Sequence, residues 1–174
     1  MSAILNCRRC DSDDDYAQAS LFFLDRRREL HPSFTVVDVM SLVYSYITEG
    51  RLILVTDEEG TTVAISAYYR GTPALAYSDR ETVAFIDNAL VAPAYRGSRA
   101  FVRGFQSLLR LITADNPQIR EIRFVALSDN AYLRALYSKF ADYSHSEEGS
   151  IGMEDHYCVE TDRLKAYLDR FARP

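Results

Sequence analysis

VAPAYRGSRAFVRGF, residues 91–105, is the stretch on which the reading of this chain turns. An apolar run ends at Val91, Pro93 removes a ladder donor, and Arg96-Gly97-Ser98-Arg99 turns the backbone. Phe101 and Phe105 then recur at the i, i+4 spacing of a helix. A strand that turns through glycine straight into a helix leaves the N–H groups of the first helical turn without intrahelical acceptors. It also puts the positive end of the helix dipole in front of them. Such a mouth attracts anions. Gly97 lets a phosphate approach the backbone, Ser98 offers a hydroxyl, and Arg96 and Arg99 add charge that a pyrophosphate would accept, with Ala100 and Phe101 completing the turn. Taken alone, one glycine and two arginines at a helix start more often describe a capped, solvated turn.

Upstream of this stretch, residues 83–91 are apolar on both alternating faces except at Asp87 and Asn88, the pattern of a central strand. Downstream, Leu108 and Ile112 carry the helix to Asn116-Pro117. A strand is expected over 122–127 and a helix over 130–140, with Leu133, Leu136, Tyr137 and Phe140 on one side. Strand, helix and strand in this order predict a right-handed parallel crossover. Further out, 52–55 and 61–69 flank Asp57-Glu58-Glu59-Gly60 as a hairpin. Two helices precede it. One spans 13–30 with Ala17, Leu21 and Leu24 on its face. The other starts at Thr35, with Asp38 in a capping-box arrangement and Val36, Val39, Met40, Val43 and Ile47 as its stripe. Two short strands around Ser144 and Tyr157 and a helix over 162–171 close the chain. The order predicts an α/β (α+β) fold: a mixed, mostly antiparallel sheet with one parallel pair and helices on both faces.

The 174 residues suffice for one core, so a single domain over 1–174 is expected. Hydrophobic residues at 48% and charged residues at 26% are ordinary for a soluble globular protein. No apolar run reaches the length of a membrane span, and residues 1–11 lack the apolar stretch of a signal peptide. The expected location is the cytoplasm, with no membrane partner. Three cysteines make a poor disulfide framework, and Cys7-Arg8-Arg9-Cys10 lacks the second ligand pair of a zinc site. A net charge of -5 argues against a nucleic-acid partner, because phosphate affinity comes mostly from lysine and arginine. Acid is clustered at Asp11 with Asp13-Asp14-Asp15, at Asp57-Glu58-Glu59, at Glu147-Glu148 and at Glu154-Asp155; such runs are usually solvated loops and helix starts, and only secondarily a field that attracts a cationic acceptor.

Val91-Ala92-Pro93-Ala94-Tyr95-Arg96-Gly97 and Asn130-Ala131-Tyr132-Leu133-Arg134-Ala135-Leu136-Tyr137-Ser138-Lys139-Phe140 together resemble the two motifs of the GNAT superfamily of coenzyme A-dependent N-acyltransferases. In that family a V-x-P-x-Y-R-G-x-G-type turn and helix are followed by a strand and an N-x-x-A-x-x-L-Y-x-K-x-G-F-type helix. The resemblance covers 83–143, and the element order on both sides agrees. This chain departs from the pattern at Ala94, where the family usually has Gln or Arg, and at Arg99, where it usually has a second small residue. Ala141-Asp142-Tyr143 also stands where Gly and an aromatic are usual.

The resemblance implies an N-acyltransferase, most simply an acetyltransferase, with acetyl-CoA or another acyl-CoA as co-substrate and no metal. The parallel strands would splay, so that backbone groups of Ala89, Leu90 and Val91 pair with pantetheine and an N–H of Leu90 or Val91 polarises the thioester carbonyl. Arg96, Gly97, Ser98, Arg99, Ala100 and Phe101 would hold the diphosphate, and Asn130 would both cap its helix and contact pantetheine. Tyr137 would protonate the leaving thiolate, since a phenol's pKa lies above that of a thiol. For the base, Asp87 is placed first and Glu81 second, and burial would have to raise an aspartate's pKa for the task. His145 and His156 lie after the second motif and could line the acceptor pocket, as could Tyr68, Tyr69 and Tyr77. The acceptor is an amine, either a small molecule or a protein lysine or N-terminus, and homodimerisation is left open. The rival readings are a non-catalytic CoA-binding or interaction module, and a transferase using a longer acyl chain or an acyl carrier protein.

Overall fold

The computed structural model describes residues 4–97 and 99–171. Strand β1 (Asn6–Arg9) is followed by helices α1 (Asp13–Asp25), α2 (Arg27–Leu30) and α3 (Val36–Thr48). Strands β2 (Arg51–Thr56), β3 (Thr62–Arg70) and β4 (Val83–Val91) come next. They lead to α4 (Arg99–Asp115), β5 (Glu121–Leu127), α5 (Ala131–Tyr137), β6 (Asp142–Glu148), β7 (Met153–Glu160) and α6 (Thr161–Asp169). The seven strands hydrogen-bond in the order β1-β2-β3-β4-β5-β7-β6. The registers of β4 with β5 are parallel, and those of β1 with β2, β2 with β3, β5 with β7 and β6 with β7 are antiparallel. The mixed sheet expected from the sequence is therefore present, with β4 at its centre.

By compactness the described residues fall into two units. One comprises residues up to Tyr69 together with Asn88–Leu111, and the other comprises Arg70–Asp87 together with the residues from Ile112 onward. In the first unit, α1 and α3 pack on each other and on β2. Ser12 caps α1, its Oγ accepting from the Asp15 N–H at 3.2 Å, and Asp13, Asp14 and Asp15 occupy the positive end of the helix. Thr35 and Asp38 form the reciprocal capping box of α3, with the Thr35 N–H donating to Asp38 at 2.7 Å and the Asp38 N–H to Thr35 Oγ1 at 3.2 Å. The hairpin between β2 and β3 turns on Asp57, whose Oδ1 accepts from the Glu59 and Thr61 N–H groups at 3.0 and 2.9 Å.

Several expectations are corrected. Helix 13–30 breaks at Arg26, where φ is -109°, into α1 and the short α2. The buried face of α1 is Ala19, Phe22 and Phe23, whereas Ala17 and Leu21 are exposed and Leu24 is half-buried. The buried face of α3 is Val39, Val43 and Tyr46, which leaves Val36, Met40 and Ile47 on the exposed side. Helix α5 stops at Tyr137, short of Phe140, although the Phe140 ring is buried. Strand β1 was not anticipated. It pairs Cys7 with Val55 and Arg9 with Ile53 along the edge of β2.

In the second unit, α5 packs on β5 and α6 on β7. The parallel ladder pairs Val83 to Ile86 with Glu121 to Phe124, and β4 continues past it to Val91. The β6–β7 hairpin brings the last strand beside β5, with Leu127 opposite Glu154 and Val125 opposite His156.

Candidate functional site

In the first unit, the end of β4 is anchored to β3 and α3. The Ala92 N–H donates to the Val63 carbonyl at 2.8 Å, and Ser66 Oγ donates to the Asn88 carbonyl at 3.0 Å. The Asn88 amide donates to the Tyr46 hydroxyl. Leu90 is buried and Val91 half-buried, but Ala89 is exposed, an open position on a strand whose first four residues are all buried. A single turn of 3-10 helix, Pro93–Tyr95, then leads to Arg96 in extended conformation and to Gly97 at φ +65°. Among the described residues other than its chain neighbours, nothing lies within 4 Å of where a Cβ on Gly97 would sit, so glycine is required there by its backbone angle and not by a neighbour.

Helix α4 begins at Arg99 with no acidic residue in its first turn, whereas α1, α3 and α6 each carry their own carboxylates there. The positive end of α4 is thus not neutralised by its own sequence. Arg99 is exposed, and Ala100 and Phe101 are half-buried, with the Phe101 ring 6.1 Å from that of Phe105. Arg96 is committed within the chain: Nε donates to the Val91 carbonyl at 2.8 Å, and the guanidinium pairs with Glu29. Its charge serves to fix the turn, and Arg99 is left as the outward cation. Ser98 lies outside the described residues.

In the second unit, Tyr137 at the end of α5 is only 9% exposed. Its ring lies 5.0 Å from that of Phe124, 5.7 Å from Tyr157 and 6.1 Å from Phe140. Its hydroxyl has no hydrogen-bond partner among the described residues, and it is not one of the fully sealed, unpartnered polar atoms. Burial, then the negative charge of Asp87, pushes the phenol well above its ordinary pKa. The group therefore stays protonated at neutral pH. Asn130 caps α5, its Oδ1 accepting from the Leu133 N–H at 3.0 Å.

Sequence reasoning missed Glu154. This half-buried carboxylate on β7 has its pKa raised by burial first and then by Asp87 and Glu147, so Asp87 acts on both Glu154 and Tyr137. It was read as part of a solvated acid run because the strand pairing that carries it inward is not a local signal. Glu81 is mostly exposed, pairs with Arg70 at 3.6 Å, and precedes β4 at the end opposite Val91. Tyr68 and Tyr69 are buried core residues, with Tyr69 held by Ser45 at 2.7 Å, and Tyr77 lies under the Arg80 guanidinium at 4.4 Å. His145 and His156 stack at 4.6 Å on the β6–β7 hairpin. The Cys7 and Cys10 thiols are pushed up to about 11 and about 12, mainly by burial, which makes both poor nucleophiles at neutral pH.

No family model and no curated protein matches the sequence. Solved structures do match the fold. A protein of unassigned function from Bacillus halodurans superposes with a TM-score of 0.72 at 13% identity, over 97% of this chain and 90% of its own. A GCN5-related N-acetyltransferase from Brucella melitensis gives 0.68 at 14% identity, over 98% and 83%. Aminoglycoside acetyltransferase AAC(6')-Ib, solved with coenzyme A and kanamycin, gives 0.67 at 15% identity, over 94% and 98%. With a parallel β4–β5 pair in a mostly antiparallel sheet, and with these neighbours, the chain has the fold of the GNAT acetyltransferases.

Proposed function

We propose that this chain is an acyl-CoA-dependent N-acyltransferase, most simply an acetyltransferase, working as one domain and passing the acyl group directly to an amine in a ternary complex. The observation that carries the reading is the Gly97 turn, at φ +65°, feeding a helix whose first turn has no acid of its own. Amide protons there and the Arg99 side chain would hold the diphosphate, and Ala89 to Val91 would pair with pantetheine, an N–H of Leu90 or Val91 polarising the thioester carbonyl. Tyr137, kept protonated by its surroundings, would return a proton to the departing thiolate. Asp87 would accept the amine's proton, and its negative field, joined by that of Glu154, favours a cationic acceptor such as a small amine or a protein lysine. The kanamycin complex of the aminoglycoside enzyme is consistent with an amine acceptor.

Thermal unfolding with acetyl-CoA tests the co-substrate. At a hundredfold excess over Kd the midpoint rises by about 5–10 °C. Thiol release against an amine panel tests turnover, with Tyr137→Phe lowering kcat by about 10²-fold or more while leaving the thermal shift in place. The packing of Tyr137 among Phe124, Phe140 and Tyr157 also suits a non-catalytic binding module. Acetyl-CoA binding without thiol release on any amine would favour that second reading. A shift seen only with longer acyl-CoAs would favour a different acyl donor.

A further inference from the structure

We propose that His145, Glu147 and His156, with Glu154 beside them, form a binding site for a divalent transition metal of the zinc class. On the β6–β7 hairpin, His145 is paired with His156 and Glu147 with Glu154. Residues two apart on a strand share a face, so these two cross-strand pairs place both imidazoles and both carboxylates on the same side of the hairpin. Ligand atoms of His145, Glu147 and His156 all lie within 4.8 Å of one another. His156 Nε2 is 3.0 Å from Glu147 Oε1 and 3.9 Å from Glu154 Oε2, and His145 Nε2 is 3.9 Å from Glu147 Oε2. The two imidazole planes are within 7° of parallel.

A second, independent observation points to a ligand. His156 is 8% exposed, and its Nε2 is sealed from solvent yet has no hydrogen-bond partner among the described residues, although Glu147 Oε1 lies 3.0 Å away. A buried polar atom left in that state is costly, and such atoms call for an explanation. A cation between His156, Glu147 and His145 supplies one. Metal–nitrogen bonds of about 2.0–2.1 Å place tetrahedral ligand atoms about 3.3 Å apart, so the present separations need only side-chain adjustment. Two imidazoles and two carboxylates suit zinc over magnesium or calcium, which prefer oxygen-only shells. Glu154, whose carboxylate packs where a Cβ on Gly149 would sit and whose Oε2 is 3.9 Å from His156 Nε2, is the nearest further donor and would have to turn inward to become the fourth ligand. The sequence reading assigned no metal, because the donors sit on two strands and only the hairpin register joins them.

The inference does not depend on acyl transfer, and its test uses no activity. Full-length protein stripped with chelator is titrated with Zn²⁺ by calorimetry and followed by thermal unfolding. One Zn²⁺ per chain and a raised midpoint are expected, with no shift from Mg²⁺. His145→Ala and Glu147→Gln alter side chains that are 51% and 43% exposed, so both variants should fold. Each should weaken Zn²⁺ binding by more than about tenfold, and the double variant should abolish it. Co²⁺ in the wild type should give the visible bands of a four-coordinate N/O site. Absence of stoichiometric Zn²⁺ binding would overturn the proposal. So would binding that persists in the double variant, which would place the metal elsewhere, such as at the cysteines.

Discussion

Gly97 and Gly149 illustrate two different demands on a glycine. At Gly97 the demand is conformational: φ is +65°, and no described residue beyond its chain neighbours lies within 4 Å of the Cβ position. Gly97→Ala should therefore cost about 1–2 kcal/mol of stability from backbone strain alone. Gly97→Asn should recover much of that, since asparagine tolerates the left-handed region. Urea unfolding of the two variants measures the difference. If the turn also cradles a diphosphate, acetyl-CoA affinity should fall further for alanine than for asparagine, because only alanine pushes the N–H vectors out of the left-handed geometry. At Gly149 the demand is steric, set by the Glu154 carboxylate. The Gly97 turn could be read from residues 91–105 because strand end, glycine and helix start are adjacent in sequence. The surroundings of Glu154 and His156 could not, because they depend on how β6 pairs with β7, and no run of adjacent residues encodes that register.

At the scale of elements, the first strand and first helix are tied by one buried carboxylate. Asp15 is 5% exposed, accepts from Arg8 Nη2 at 2.6 Å and from the Asp11 N–H at 3.3 Å, and so clamps α1 to β1. Burial alone would raise its pKa. The hydrogen bonds from Arg8, Asp11 and Ser12 and the charge of Arg8 outweigh burial and hold it below the ordinary carboxylate range. A carboxyl depressed in the folded state stabilises that state above its unfolded pKa, near 3.9. That contribution is lost as pH falls through the lower folded value. Asp15→Asn should therefore cost about 1–2 kcal/mol at pH 7. The low figure reflects Arg8, whose side chain is 38% exposed and screened by water. The gap to wild type should narrow as pH falls below the unfolded value near 3.9, and unfolding curves at pH 7 and at successively lower pH check the sign.

The same pair of elements shows why some assignments failed. Strand β1 is short and bears Asn6, Arg8 and Arg9, so it carries little apolar alternation, and its identity comes from the edge of β2. Leu21-Phe22-Phe23-Leu24 places apolar residues all round α1, so helical period cannot choose a face, and the two bulky rings take the interior. Helix α3 has the same surplus, with Val36, Val37, Met40, Tyr44 and Ile47 exposed. Strand β4, with one apolar pattern and no competing alternative, was assigned correctly.

Over the whole molecule the net charge is -5, and within the second unit Asp87 acts on Tyr137 and, together with Glu147, on Glu154. On the acyltransferase reading the two substrates should then respond to salt in opposite senses. A cationic amine is drawn by the field of the acids, and screening weakens that attraction over a Debye length of about 10 Å at 0.1 M. The anionic CoA moiety is repelled by the overall charge, and its local attraction is confined to the α4 mouth and Arg99, so added salt relieves the repulsion. Between 20 and 300 mM NaCl, KM for a diamine should rise several-fold while KM for acetyl-CoA stays level or falls. Steady-state kinetics with a chelator present to keep the histidine pair metal-free provides the measurement, and Asp87→Asn should flatten the diamine response. A parallel rise in both KM values would mean that the acids are not what the acceptor meets, and would shift the acceptor toward a neutral or anionic amine.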